Sequence, residues 1–314
     1  MASSLPVAGI GISTVENIPV FHYDPGGMAF RVILACRGSP LFECSDFDIC
    51  AYGSPAAFQP HMVGVGEIVR RAVWSGADMI VFEGLEPCKC LDRETLEAAR
   101  GEGLHVAVRT FGSGCPAGLE PDVIIYDDIH EYAEDPSIIL DLQSSLERSI
   151  RAGNSWVEVN AYIPDPRTAR IAGLLEILGG KLYPLHVHVA NHMGGGPVRS
   201  LYEKARRVLP HLYIHNPTYP YLETYCPACG KPVAMREEGV LLKLEAREGR
   251  CWNCGAEIPF HGRIRDKTPR RIIQLTGGGR WMHPLELKAI GRLFSSRTSG
   301  RRDSGSPSRA SPDG

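Results

Sequence analysis

The chain has 314 residues, of which 43% are apolar and 22% charged, and its formal net charge is −2. A chain of that length and apolar share can bury enough surface to offset its ordering entropy, which excludes wholesale disorder. It has no apolar run long enough for a transmembrane helix, and the opening MASSLPVAGIGIS lacks the basic start and long apolar run of a secretory signal, so a cytoplasmic protein with no membrane partner is expected.

In chain order, residues 1–25 read as an N-terminal lead-in. Apolar, β-branched runs then recur as strands at Phe30–Ala35, Met79–Phe82, His105–Arg109, Val123–Tyr126, Trp156–Ala161 and Leu185–Ala190. Between them, helical spacing covers Val65–Ser75, Arg93–Glu102, Ser137–Ala152, Pro166–Leu178 and Pro197–Val208. Near-continuous apolar strands alternating with helices describe βα units around a parallel sheet. Six such units fit a doubly wound sheet or a partial (β/α)6 barrel, and the partial barrel, over 26–215, is the favoured α/β fold. A zinc ribbon over 222–262, a helical extension over 263–294 with a short helix at Pro284–Phe294, and a disordered basic tail over 295–314 complete the chain.

Residues 261–314 carry twelve Lys/Arg against four Asp/Glu, so an acidic body precedes a basic end. That balance is compatible with nucleic-acid or acidic-partner contact, and a merely solvated tail is the plainer reading.

Ten cysteines say more than the charge. Cys226-Pro-Ala-Cys229 and Cys251-Trp-Asn-Cys254 are each followed by glycine, Gly230 and Gly255. Two such hairpin tips place four thiolates around one tetrahedral centre, the geometry of a closed structural zinc site; two disulfides are the competing pairing. The other six cysteines follow strand ends. Cys36 ends the first strand, with Cys44 and Cys50 in the loop beyond; Cys88 and Cys90 follow the second, and Cys115 the third. All six therefore map to the carboxyl-end rim, where parallel α/β folds build their sites. A metal or iron–sulfur site, small buried hydrophobes and disulfides are the three readings of this set.

Several stretches line up with one family. The segments PVFHYDPGGMAFRVILAC (19–36), ECSDFDI (43–49), MIVFEGLEP (79–87), PLHVHVANHMGGGPVRSLYEKAR (184–206), ETYCPACGKPV and GRCWNCGAEIPF together resemble radical S-adenosylmethionine proteins. The likeness is to the pyruvate-formate-lyase-activating branch, in the AmmeMemoRadiSam-type group, and spans roughly residues 15–260. The resemblance implies a 4Fe–4S cluster on a C-x3-C-x2-C motif, with one iron left to chelate S-adenosyl-L-methionine. Cys36 matches the first ligand and Cys44 the third, while Pro40 and Leu41 stand where the middle cysteine belongs. Cys50, Cys88, Cys90 or Cys115 would have to complete the set. Gly84-Leu85-Glu86-Pro87 stands at the family's turn for the cofactor's amino group, with Glu83 the lesser candidate. The family's lysine is replaced by Asp127-Asp128, and its Thr-Asn-Gly by Arg109-Thr110-Phe111-Gly112. An activase-like enzyme with a protein or small-molecule substrate and a reductant partner follows from the resemblance. A catalytically degenerate relative, whose ribbon binds protein or nucleic acid, is the second reading.

A third reading rests on residues alone. His186 and His188 point to one face of a strand, and with His192, Gly194–Gly196 and Asp127 or Asp128 could form a hydrolase-type metal site.

Overall fold

The structure, a computed structural model, describes residues 4–36, 60–85, 87–110, 115–116, 118–128, 137–163, 170–189, 194–216, 218–237 and 239–269. Its main body runs β1 (Ser4–Thr14), β2 (Met28–Ala35), β3 (His61–Gly64), α1 (Val65–Ser75), β4 (Met79–Leu85), α2 (Arg93–Gly101), β5 (His105–Thr110), β6 (Val123–Asp128), α3 (Ser137–Ala152), β7 (Trp156–Ile163), α4 (Arg170–Leu178), β8 (Leu185–Val189), α5 (Gly195–Ala205) and β9 (Leu212–His215). These strands form one nine-stranded sheet in the order β3-β1-β2-β4-β5-β6-β7-β8-β9. From β2 to β9 every pairing is parallel and follows chain order, whereas β1 pairs antiparallel with both β2 and β3.

A strand order that never reverses puts the crossovers on one side, and the packing agrees. Phe30, Val32 and Leu34 of β2, Ile80 and Phe82 of β4, and Val106 and Val108 of β5 pack with Ile68 and Ala72 of α1 and Leu96 and Ala99 of α2. Ile124 and Tyr126 of β6, Val157 and Val159 of β7, Val187 of β8 and Ile214 of β9 pack with Leu146, Leu174, Val198 and Tyr202 of α3–α5. This excludes the doubly wound sheet, which has helices on both faces. The sheet has edges at β3 and β9.

The inner face is layered. At the amino end Ala29, Met79, Val81, Ala107, Val123 and Ile125 form an apolar floor with Val15, Ile18 and Val20 from the segment after β1. Above it the same alternation presents charged and polar side chains, all from strands whose helix-side neighbours are apolar.

Three expectations are corrected. The lead-in is in part a strand, because β1 pairs along most of β2. The parallel strands number seven rather than six, since the four-residue run Leu212–His215 extends the sheet beyond β8. The last helix of the body runs Gly195–Ala205 rather than starting at Pro197, the two residues before that proline already being helical. Pro284–Phe294 and the basic tail lie outside the described residues.

The remaining strands, β10 (Thr224–Tyr225), β11 (Pro232–Glu237), β12 (Val240–Leu244), β13 (Ala246–Arg247) and β14 (Arg250–Cys251), make two small antiparallel sheets. Arg236 of β11 ties them to the main body. Its guanidinium is buried over the Phe21 ring, 4.3 Å from the centroid, and donates to the Phe21 carbonyl at 2.9 Å and Thr224 Oγ1 at 2.7 Å.

Candidate functional site

Four of the six rim cysteines meet at the carboxyl end of β2, β4 and β5. Cys36 is disulfide-bonded to Cys90, and Cys88 to Cys115. A 3-10 turn at Pro87–Lys89 joins the two pairs: Cys88 lies within it, and Cys90 closes it by donating its N–H to the Pro87 carbonyl at 3.0 Å. Cys36 and Cys88 are buried in the helix-side cluster, with Cys90 and Cys115 packed against it. Of the three readings the disulfides are the one these four take, with Cys36 and Cys88 buried and Cys90 and Cys115 partly so. Cys44, Cys50 and Glu86 lie outside the described residues. Gly84 is required by the fold itself: its φ is +111°, and a Cβ there would collide with the Leu34 carbonyl of β2. Pro87 is buried at the start of the 3-10 turn.

On the opposite, inner face a buried polar belt crosses the sheet at the same end. Arg31 of β2 donates through Nε and Nη2 to the two carboxylate oxygens of Glu83 at 2.6 and 2.9 Å. Arg109 of β5 lies 3.5 Å from Glu83 and donates to Asp127 at 2.6 Å and to the Tyr162 hydroxyl at 2.7 Å. Asn160 of β7 donates to the other Asp127 oxygen at 3.0 Å, and its own carbonyl oxygen lies 3.2 Å from His188 Nε2. Burial raises the Asp127 carboxyl above its ordinary value, against the Arg109 charge.

A second chain runs below. Glu158 of β7 accepts the backbone N–H groups of Phe21 and His22 at 2.9 and 2.8 Å. His186 Nε2 lies 2.8 Å from Glu158, and His186 Nδ1 lies 3.0 Å from His215 Nε2 of β9. Burial lifts the Glu158 carboxyl to about 7 and holds His186, His188 and His215 well below the ordinary histidine value. The expectation that His186 and His188 share a face is met. No metal-holding group including them occurs among the described residues, and His192 lies outside these.

The third arrangement is the four-cysteine unit. The sulfurs of Cys226, Cys229, Cys251 and Cys254 lie within 4.8 Å of one another and carry no disulfide. Two matching tips produce this. Gly230 N–H donates to the Cys226 carbonyl and Gly255 N–H to the Cys251 carbonyl, both at 2.9 Å, with the glycines at φ +71° and +72°. The Lys231 backbone N–H draws the Cys229 thiol below its ordinary value. Four thiolates at this spacing can hold one metal ion.

Sequence reading missed Arg31, Glu158, Tyr162 and His215 as members of the belt. The signal was available as isolated polar residues at alternate positions inside otherwise apolar strands, as in WVEVNAYI of β7.

No protein-family model and no curated protein matches the chain. Among solved structures it is similar to QueE from Escherichia coli, with a TM-score of 0.47 and 14% identity over 68% of this chain and 94% of that one. A likeness at that level carries no argument about activity. What the fold and the sites define is an α/β protein with a large, singly wound parallel sheet, a cysteine-rich carboxyl rim and a separate four-thiol unit.

Proposed function

We propose that this is a radical-S-adenosylmethionine-like iron–sulfur protein on a partial β/α barrel, activase-like in acting on a protein or small-molecule substrate, with the four-thiol unit as a zinc ribbon. The observation that carries the reading is the convergence of Cys36, Cys88, Cys90 and Cys115 from three strand ends. Cys36 is the position at which the resemblance sets the first cluster ligand, and thiols brought together there fit the soft donor set that iron–sulfur clusters require. Once reduced, Cys36 would hold the cluster with Cys44 and a further cysteine from Cys50, Cys88, Cys90 and Cys115. A reduced cluster there supplies one electron for the reductive cleavage of S-adenosyl-L-methionine. Glu86, with the strand-end backbone around Gly84 and Pro87, would meet the cofactor's ammonium, since a carboxylate and carbonyls are its natural acceptors. The inner belt lies at the same end of the strands and would hold the reacting substrate away from water. The test is anaerobic reconstitution followed by an assay for 5′-deoxyadenosine. Iron and sulfide uptake with cleavage supports the reading; neither one appearing refutes it.

The second reading, a degenerate relative serving as a scaffold, is favoured by one observation: Cys36 is bonded to Cys90 on the helix side of the sheet, facing away from the belt. Zinc without iron under the same conditions would decide for it.

A further inference from the structure

Three side chains form a hydrogen-bonded chain that climbs the inner face toward the carboxyl end of the strands. Glu158 of β7 lies 2.8 Å from His186 Nε2 of β8, and His186 Nδ1 lies 3.0 Å from His215 Nε2 of β9. Each member stands one layer above the last. Asn160, two residues beyond Glu158, pairs with His186, and His188, two residues beyond His186, pairs with His215. Glu158 and His186 are fully buried, whereas His215 is partly exposed. The two nitrogens of an imidazole point in nearly opposite directions, so with Nε2 turned down to His186 the Nδ1 of His215 is turned away from the buried members. It has no hydrogen-bond partner among the described residues.

The chain has two self-consistent proton arrangements, and the charge on Glu158 selects between them. An ionised Glu158, which also accepts the backbone N–H groups of Phe21 and His22, takes the Nε2–H of His186. His186 Nδ1 then takes the Nε2–H of His215, and His215 Nδ1 is a lone pair. A protonated Glu158 instead donates its O–H to His186 Nε2. His186 Nδ1–H then donates to His215 Nε2, and His215 Nδ1 carries a proton. A proton entering at His215 Nδ1 thus leaves one on Glu158, with both rings neutral before and after.

The surroundings favour that neutral passage. Arg236 of β11 acts on all three members, and its buried guanidinium opposes a positive charge on either imidazole. The other groups facing the chain are Glu16 and His22 from the segment after β1, His188 of β8, Tyr213 of β9 and His261. Of these Glu16 is the second carboxyl, and it bonds the Gly26 N–H rather than a member of the chain. Burial holds His186 and His215 well below the ordinary histidine value and lifts Glu158 to about 7, so the carboxyl is the member whose charge changes near neutrality. We infer that His215, His186 and Glu158 form a proton relay, opening at His215 on the inner face, that exchanges a proton with an N–H or O–H group of a bound ligand. When that group gives up its proton, its N–H or O–H bond breaks and His215 Nδ1–H forms. The His215 Nε2 proton passes to His186 Nδ1, and the His186 Nε2 proton to Glu158. The ligand takes up the negative charge that Glu158 loses.

The inference stands apart from the iron–sulfur reading, and its test needs neither cluster nor S-adenosylmethionine. Full-length protein carrying 15N-labelled histidine is titrated and observed through the ring nitrogens, with His186→Gln and His215→Gln used to assign the signals. As pH rises through about 7, both rings should change from Nδ1–H to Nε2–H at one common midpoint. In Glu158→Gln that shared step should vanish. Diethyl pyrocarbonate, traced by peptide mapping, should modify His215, faster above the midpoint than below it, and should spare His186. A fixed tautomer at either ring, two separate midpoints, a shared step that persists in Glu158→Gln, or an unmodified His215 would each overturn the relay. Should Glu158→Gln fail to fold, the two wild-type ring titrations and the modification of His215 still decide the outcome.

Discussion

Arg31 and Glu83, from adjacent parallel strands, form a two-point ion pair that is almost wholly excluded from solvent on the inner face of the sheet. Glu83 also lies 3.5 Å from Arg109, so one carboxylate answers two buried guanidinium groups.

Removing that carboxylate takes the two-point ion pair from Arg31 and leaves Arg109 with Asp127. Glu83→Gln should destabilise the fold by about 3–5 kcal/mol, the usual cost of breaking a buried pair from one side. Arg31→Met with Glu83→Leu should recover part of the loss, because two apolar groups leave no orphaned charge at that pair. Urea denaturation of the three proteins checks this; equal midpoints for Glu83→Gln and wild type would contradict it.

Stability should fall as pH drops through the ordinary histidine range. His22, His186, His188 and His215 are held well below 6.5, and His211 at about 4, in each case chiefly by burial. The unfolded chain therefore binds more protons at these positions below about pH 6.5, and protonation pulls the equilibrium toward it. Glu16 and Glu158, raised by burial to about 7, act in the opposite sense, since the folded state keeps their protons between about pH 4.5 and 7. His261, lowered by burial, joins the first group. Asp127, raised by burial, and His105, raised by its hydrogen bond to Asp24, join the second. Six lowered histidines still outweigh these and leave a net loss between pH 6.5 and 5, to be read from urea midpoints. A midpoint that rises on acidification would contradict the buried histidine network.

The four-thiol unit should bind one zinc and depend on it. Cys226→Ser should abolish stoichiometric zinc and expose the segment around 222–262 to protease, because a structural metal contributes folding free energy directly. Gly230→Ala should cost about 1–2 kcal/mol, since its φ of +71° lies in the left-handed region. Protease resistance read alongside zinc content separates the two effects.

Much of the sheet was legible because strands such as MAFRVILA and VIIYDD are buried on both faces and so read as apolar runs. β9 escaped notice because LYIH is only four residues long, and β1 because its alternation of small and branched residues carries no strand signal as clear as those that follow until its partner strand is known. The grouping of the four cysteines was legible, because they lie in two local motifs. The inner belt was not: Arg31 and Glu83 are 52 residues apart, and Glu158 and Phe21 are 137 apart. Only strand order and register bring such residues together. The disulfides of Cys36 with Cys90 and Cys88 with Cys115 were foreseen as a class and not as pairs, for the same reason.

Non-reducing peptide mapping of aerobically purified protein should recover Cys36 linked to Cys90 and Cys88 linked to Cys115. After reduction, iron uptake should appear, and Cys90→Ser should change it if the rim is one site. Iron uptake identical with and without reduction would separate the rim from the metal chemistry.

The most direct measurement is iron, acid-labile sulfide and zinc per chain after anaerobic reconstitution. The account predicts about four irons with matching sulfide and about one zinc, the iron lost in Cys36→Ala and the zinc retained. One zinc with no iron would contradict it and leave the parallel sheet as a scaffold for the four-thiol unit.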